Sequence, residues 1–234
     1  MNQTLIRNLL LAAACWFAAQ AASAAETGFY VGGFYSTNEK DESIDIYNGF
    51  TLSAQQQLGY SPLQASAPGF DTKANGYGFI GGYRLFQNFA IEGGYMQLGS
   101  VKYRYRANGL YPPDANNPNG FPSSMTLNVD NEIGGIAVSA LGILPVSYRW
   151  EVYGRAGVMF ATHDFKFYIA DAFGPIKDGF SESATDFLAG AGVSFMLAEV
   201  YTLRGEFIRV FDAGNKDNGE GDVDVISLGI TVKF

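Results

Sequence analysis

"VDVISLGITVKF", residues 223–234, closes the chain and decides its fold. From Asp224 onward, apolar residues alternate with small or polar ones. Ile226, Leu228, Ile230, Val232 and Phe234 fall on one side, and Ser227, Gly229, Thr231 and Lys233 on the other. A period of two belongs to the β-strand, whose successive side chains point to opposite faces. This strand therefore divides a greasy medium from a polar one.

Working back from the end, the same period recurs until eight strands are predicted, at residues 28–37, 75–85, 88–98, 132–144, 150–162, 185–197, 201–210 and 224–234. Their lengths are close to the about 9–11 residues that cross a bilayer as a tilted strand. The connections alternate as well. "FQN", "PVSYR" and "AEV" are short, whereas residues 38–74, 99–131, 163–184 and 211–223 make long loops. Short turns at one end and long loops at the other are the habit of outer-membrane barrels. The Pro-, Asn- and Gly-rich stretch "RANGLYPPDANNPNGFPSS" reads as irregular loop.

The rest of the sequence agrees. Arg7, an apolar run over 9–17 and the small-residue stretch "AAQAASAAE" have the order of a secretory signal peptide. Ala22-Ser23-Ala24 fits its cleavage pattern, so residues 1–24 are expected to be the signal and 25–234 the barrel domain; cleavage after Ala25 fits nearly as well. The apolar run is short of the about 20 residues of a spanning helix. Cys15, the only cysteine of the 234 residues, lies in that leader, so the mature chain has no thiol. The chain carries 15 basic against 23 acidic residues, a balance that disfavours nucleic acid as a partner.

The two faces differ in chemistry. At the short-turn end the apolar face collects Phe29, Tyr83, Phe89, Trp150, Phe195, Tyr201 and Phe234; at the other end it collects Tyr35, Tyr77, Tyr95, Phe160, Phe187 and Phe207. Val31, Ile91, Val152, Val193, Leu203 and Ile230 lie between them. Two aromatic girdles around an aliphatic band mark a face turned to lipid. The opposite face bears Arg84, Glu92, Arg155, Arg204 and Glu206 among glycines, and the expectation is a salt-bridge network filling the lumen, because buried charges must be paired. A sheet in lipid must also close, since unpaired backbone groups cost several kcal/mol each there. The predicted fold is all-β: an eight-stranded antiparallel up-and-down transmembrane β-barrel.

"GFIGGYRLFQNFAIEGGYMQLG" (78–99), "VYGRAGVMFA" (152–161), "LRGEFIRV" (203–210) and "VISLGITVKF" (225–234) together resemble the OmpA-like outer-membrane β-barrel family, over nearly all of residues 25–234. The resemblance implies a monomeric eight-stranded barrel in the cell outer membrane, among its lipid and lipopolysaccharide, inserted by the barrel-assembly machinery, with Phe234 as part of the assembly signal. Larger members carry a peptidoglycan-binding domain after the barrel; this sequence departs from them by stopping at the last strand, so a stand-alone barrel without peptidoglycan tethering is expected.

Candidate chemistry is sparse. The only histidine, His163, adjoins Asp164 at the end of the fifth strand, with Ser181 and Ser183 on the same loop; a solvated histidine at the rim is expected there, and no catalytic site. Asp217, Glu220 and Asp222, with Asp212 and Asp224, offer oxygen ligands in the last loop, but their spacing is not that of a calcium loop, so they are weak metal candidates. Lys102, Arg104 and Arg106 alternate above Tyr95; a solvated strand extension is the leading expectation for them, and contact with lipopolysaccharide phosphates the alternative. "FTLSAQQQLGYSPLQ" (50–64) is mildly apolar, suited to packing over the barrel mouth or to a partner. No cofactor motif occurs. The leading expectation is a non-enzymatic outer-membrane protein with a structural or surface-interaction role through its long loops. The alternatives are a narrow pore for ions or small solutes and a lipid-modifying enzyme.

Overall fold

The computed structural model describes residues 27–113, 117–214 and 220–234. The elements are β1 (Gly28–Lys40), α1 (Ile44–Leu58), β2 (Ser61–Ala65), β3 (Gly69–Asp71), β4 (Lys73–Phe86), β5 (Phe89–Tyr111), β6 (Phe121–Pro145), β7 (Trp150–Asp171), β8 (Gly174–Met196), β9 (Tyr201–Ala213) and β10 (Gly221–Lys233). All ten strands belong to one antiparallel sheet, in the order β2-β5-β4-β1-β10-β9-β8-β7-β6, with β3 on β5 and a further pairing between β5 and β6. The expected leader, residues 1–24, lies outside the described residues.

The eight-stranded up-and-down barrel is thereby corrected. Among the described residues the sheet has ten strands, and it is not evenly wound: β5 pairs with β2, β3, β4 and β6. The sheet is barrel-like, because side chains of β1, β5, β7 and β9 meet in its interior. Two long loops are corrected too. Residues 99–111 and 121–131 continue β5 and β6, and most of 163–184 continues β7 and β8. The four strands β5–β8 run for 22 to 25 residues, against 13 for β1, β9 and β10. They project past their neighbours as an extension at the long-loop end.

β7 shows why the extension escaped the alternation pattern. Its outward side chains run Trp150, Val152, Ala156, Val158, Phe160 and then Thr162, Asp164, Lys166. Its inward ones run Glu151, Tyr153, Arg155 and then Met159, Phe165, Phe167. The period of two never breaks, but its phase inverts past Phe160. Below that point the apolar side faces out, as lipid requires; above it the apolar side faces in, as water requires. On β5 the inversion coincides with a register shift between Gln97 and Gly99, a β-bulge at which Gly99 takes a φ of 85°.

α1 fills the concave face of the extension. Ser43 caps it, accepting a hydrogen bond from the Asp45 N–H at 3.2 Å, and Gly59 ends it in the left-handed conformation at φ 64°. Tyr47, Thr51, Ala54 and Gln55, at helical spacing, form its buried face. Tyr47 stacks on Tyr103 at 5.5 Å and Phe50 meets Phe167 edge-on at 5.3 Å. With Met125, Leu127, Val129 and Phe165 they make a second hydrophobic core outside the aromatic band.

Candidate functional site

The outer surface of the sheet is the first functional feature. Phe29, Tyr83, Trp150, Tyr201 and Phe234 are exposed at the short-turn end; Phe89 and Phe195 are half-buried at the same level. Phe29 packs on Tyr83 at 4.6 Å and Trp150 on Phe195 at 4.7 Å. At the other end Tyr35 pairs in register with Tyr77, and Phe187 with Phe211. Between the two levels Val31, Ile91, Val152, Val193, Leu228 and Ile230 are all exposed. A continuous exposed apolar belt of this extent is untenable in water and is what a lipid-facing wall requires.

The interior carries the charges. Glu92 of β5 is 1% exposed and receives both Arg155 of β7 and Arg204 of β9. Glu206 lies 2.6 Å from Arg155 and 3.8 Å from Arg204. The four charges sum to zero, which is how a buried cluster avoids the cost of an isolated ion. Neutral groups complete it. The Tyr30 hydroxyl donates to Glu92 at 2.7 Å, Arg155 donates to Ser139 at 3.3 Å, and Arg204 donates to the Tyr153 hydroxyl at 3.2 Å while lying 4.6 Å over that ring. Glycine makes the room: a Cβ at Gly82 would strike the Tyr30 ring, and one at Gly192 the Tyr153 ring.

Arg84 stands apart from this cluster. It forms a pair with Glu151 at 2.8 Å, near the short-turn end, where Ser194 also donates to Glu151. A cavity of about 100 Å³ opens there, lined by Tyr30, Arg84, Glu151, Tyr153, Arg204 and Lys233 among others. Tyr30, Tyr153, Ser139 and Glu151 were not among the candidate network residues. Ser139 and Glu151 had their signal in the same alternation, on the polar face of their strands, whereas a tyrosine suits either face.

Above the charge cluster the interior becomes apolar. Met96, Leu98, Ile133, Met159, Leu188, Ile208, Val210 and Val225 form a buried belt. A polar layer follows beneath α1. Lys40 and Glu42 pair at 3.3 Å, both side chains buried, and the Tyr47 hydroxyl donates to Glu42 at 3.1 Å. His163 belongs to this layer, 2% exposed, which corrects the expected solvated rim histidine. Burial, aided by Lys40, pushes its pKa down to about 4, so it is neutral. Ser181 donates to Asp164, on the opposite face from His163, so these residues do not assemble as a nucleophile and base.

The last loop is committed elsewhere. Asp224 takes Arg209 in two hydrogen bonds of 2.6 Å, and Asp222 lies 3.6 Å from the same guanidinium. Asp217 lies outside the described residues, and Glu220 is half-buried just before β10. On the outward face of the extension, Arg104 pairs with Asp130 at 2.7 Å and Lys166 with Glu132 at 2.6 Å. Lys102, Arg106 and Lys177 are exposed and form no ion pair among the described residues.

A lipid-facing girdled sheet around a neutral charge cluster defines an outer-membrane transmembrane β protein. The family model of the OmpA-like transmembrane domain matches residues 24–234, and the chain belongs to that family. No curated protein sequence matches it. Among solved structures, neisserial surface protein A is similar at 15% identity and a TM-score of 0.48, covering 90% of this chain and 100% of that one. Ail of Yersinia pestis, solved with the heparin analogue sucrose octasulfate, gives 14%, 0.49, 90% and 100%. The N-terminal β-barrel domain of Pseudomonas aeruginosa OprF gives 13%, 0.44, 89% and 100%. The assignment rests on the family model.

Proposed function

We propose that this outer-membrane protein is a non-enzymatic surface-interaction protein whose extension stands outside the cell. The supporting observation is the second hydrophobic core. A chain that had only to cross the membrane needs no packed helix beyond the aromatic band. Here Tyr47, Tyr103, Met125, Leu127 and Val129 are all but fully buried there, so the extension presents a rigid surface rather than a floppy loop. Rigidity lowers the entropic cost of binding.

The proposal carries a set of roles with it. Residues 1–24 direct export and are removed. Phe234, whose N–H donates to Phe29 O at 2.9 Å and whose ring is exposed, serves the barrel-assembly machinery as an end signal. The charge cluster of Glu92, Arg155, Arg204 and Glu206 is structural, and Lys102 and Arg106 meet lipopolysaccharide phosphates. The protein works as a monomer.

Treating intact cells with a protease tests the surface reading. Cleavage within the extension of a destabilised variant, with none in outer-membrane vesicles turned inside out, is the expected result. Planar-bilayer recording separates the pore reading, and discrete channels would sink the present one.

A further inference from the structure

The cavity of about 100 Å³ at the short-turn end is closed at its inner side. Its floor is the Glu92–Arg204 pair, and above that pair stands the apolar belt of Met96, Leu98, Met159 and Leu188. Tyr148 and Arg149 of the β6–β7 turn and Glu199 of the β8–β9 turn, all exposed, stand at its mouth. Short turns face the periplasm in outer-membrane barrels, so a ligand of this cavity enters from there.

Part of the lining is apolar, formed by Leu141, Ile143 and Met196. Most of the charged part is spent internally: Arg84 holds Glu151, and Arg204 holds Glu92. Two donors are not. The Tyr153 hydroxyl, in a residue 6% exposed, accepts from Arg204 at 3.2 Å, but its own proton meets no acceptor among the described residues. The Arg149 guanidinium forms no ion pair or hydrogen bond among them either. A buried donor without an acceptor is costly, so an acceptor belongs in the cavity. Water could meet the hydroxyl, but against Leu141, Ile143 and Met196 it would lack the about 2–4 polar partners that a buried water takes.

We infer that this cavity binds a small monocarboxylate with a short apolar body, entering from the periplasm. The carboxylate accepts the Tyr153 proton beside the Arg204 guanidinium, and the apolar body lies against Leu141, Ile143 and Met196. Arg149 draws the anion to the mouth. Glu199 shares that mouth and disfavours a second negative charge. Size sets the rest: about 100 Å³ is roughly three water volumes, well short of a drug-sized site, so the body is a few carbon atoms long. The inference goes beyond the surface role and does not depend on what the extension binds.

The probe is trifluorobutanoate, titrated onto the full mature protein in micelles and followed by fluorine NMR. The uncharged trifluorobutanamide is the control, and empty micelles set the background. A saturable shift is expected, at least tenfold tighter for the acid than for the amide. Tyr153→Phe, which removes only the hydroxyl, should weaken binding at least tenfold. Thr202→Phe, which places a ring in the cavity, should abolish it. Arg149→Glu should weaken it severalfold, and because it lies on an exposed turn it keeps the test decisive if a buried variant does not fold. Lys177→Glu, on the extension, should change nothing. Heat-modifiable gel mobility identifies the folded variants. Equal binding of acid and amide overturns the inference, as does binding that the folded variants of Tyr153, Thr202 and Arg149 leave unchanged. So does a shift no greater than that of empty micelles, which would leave the cavity to water alone.

Discussion

At the scale of single residues, Glu92 governs the interior. It is the acceptor that Arg155, Arg204 and Tyr30 share, brought to it from three other strands. Removing one partner of a buried pair strands the other, at about 3–5 kcal/mol, whereas a partly exposed pair contributes about 0–1 kcal/mol. Arg204→Ala should therefore lose about 3–5 kcal/mol in urea unfolding from phospholipid vesicles. Arg84→Ala, whose partner Glu151 keeps access to the open cavity, should lose about 1 kcal/mol or less. Equal losses would refute the distinction. His163 supplies a pH dependence. Its folded pKa, about 4, lies below the ordinary 6.5, so the unfolded chain binds the proton more readily. The contribution of neutral His163 is fully present above pH 6.5 and is lost as pH falls toward 4. Glu42, its pKa raised by burial, acts in the opposite sense, so the comparison must be with a variant. His163→Gln should show the shallower fall in stability between pH 6.5 and 4, and parallel curves would refute this.

Among the elements, α1 is the one that sequence periodicity concealed. Its buried face is Tyr47, Thr51, Ala54 and Gln55, half of it polar by composition, so no apolar stripe announces it. Those polar groups are satisfied in place: Thr51 bonds the Tyr103 hydroxyl at 2.8 Å, and Gln55 donates to Tyr105 at 3.0 Å. A helix whose partners come from strands some fifty residues away carries little local signal. The lipid-crossing strands were legible for the converse reason. One solvent acts on one face over their whole length, so Ile226 to Val232 or Val152 to Phe160 spell it out. Beyond Phe160 the solvent changes from lipid to water, the phase inverts, and a reading tuned to lipid stops short. The charge cluster was legible in Glu92, Arg155, Arg204 and Glu206 because an ionised residue on an otherwise Gly-rich face is conspicuous; Tyr30 and Tyr153 were not, since a tyrosine suits either face. Tyr47→Ala removes the anchor of α1, a loss of about 3–5 kcal/mol for a large buried ring. Faster proteolysis within 44–58 is expected, with the heat-modifiable gel mobility of the lipid-spanning part unchanged. Loss of both together would mean that α1 and the sheet fold as one unit.

For the whole molecule, the interior is a stack of seals of different chemistry. From the short-turn end a solute meets the charge cluster, then the apolar belt of Met96, Leu98, Met159 and Leu188, then the Lys40–Glu42 layer and α1. The charge cluster is polar enough to admit a hydrated ion if it opened, but the belt is not, because an ion there would shed its water with no partner to replace it. The belt is then a barrier in series with the helix, and it holds when the helix is removed. This separates the seals experimentally. Replacing residues 44–58 by a Gly-Ser linker exposes the polar layer and should leave planar bilayers silent. Leu98→Ser with Leu188→Ser, which wets the belt while keeping the helix, should give small cation- or anion-permeable openings only when combined with the linker variant. Channels from the linker variant alone would show that the helix is the gate and that the belt does not hold.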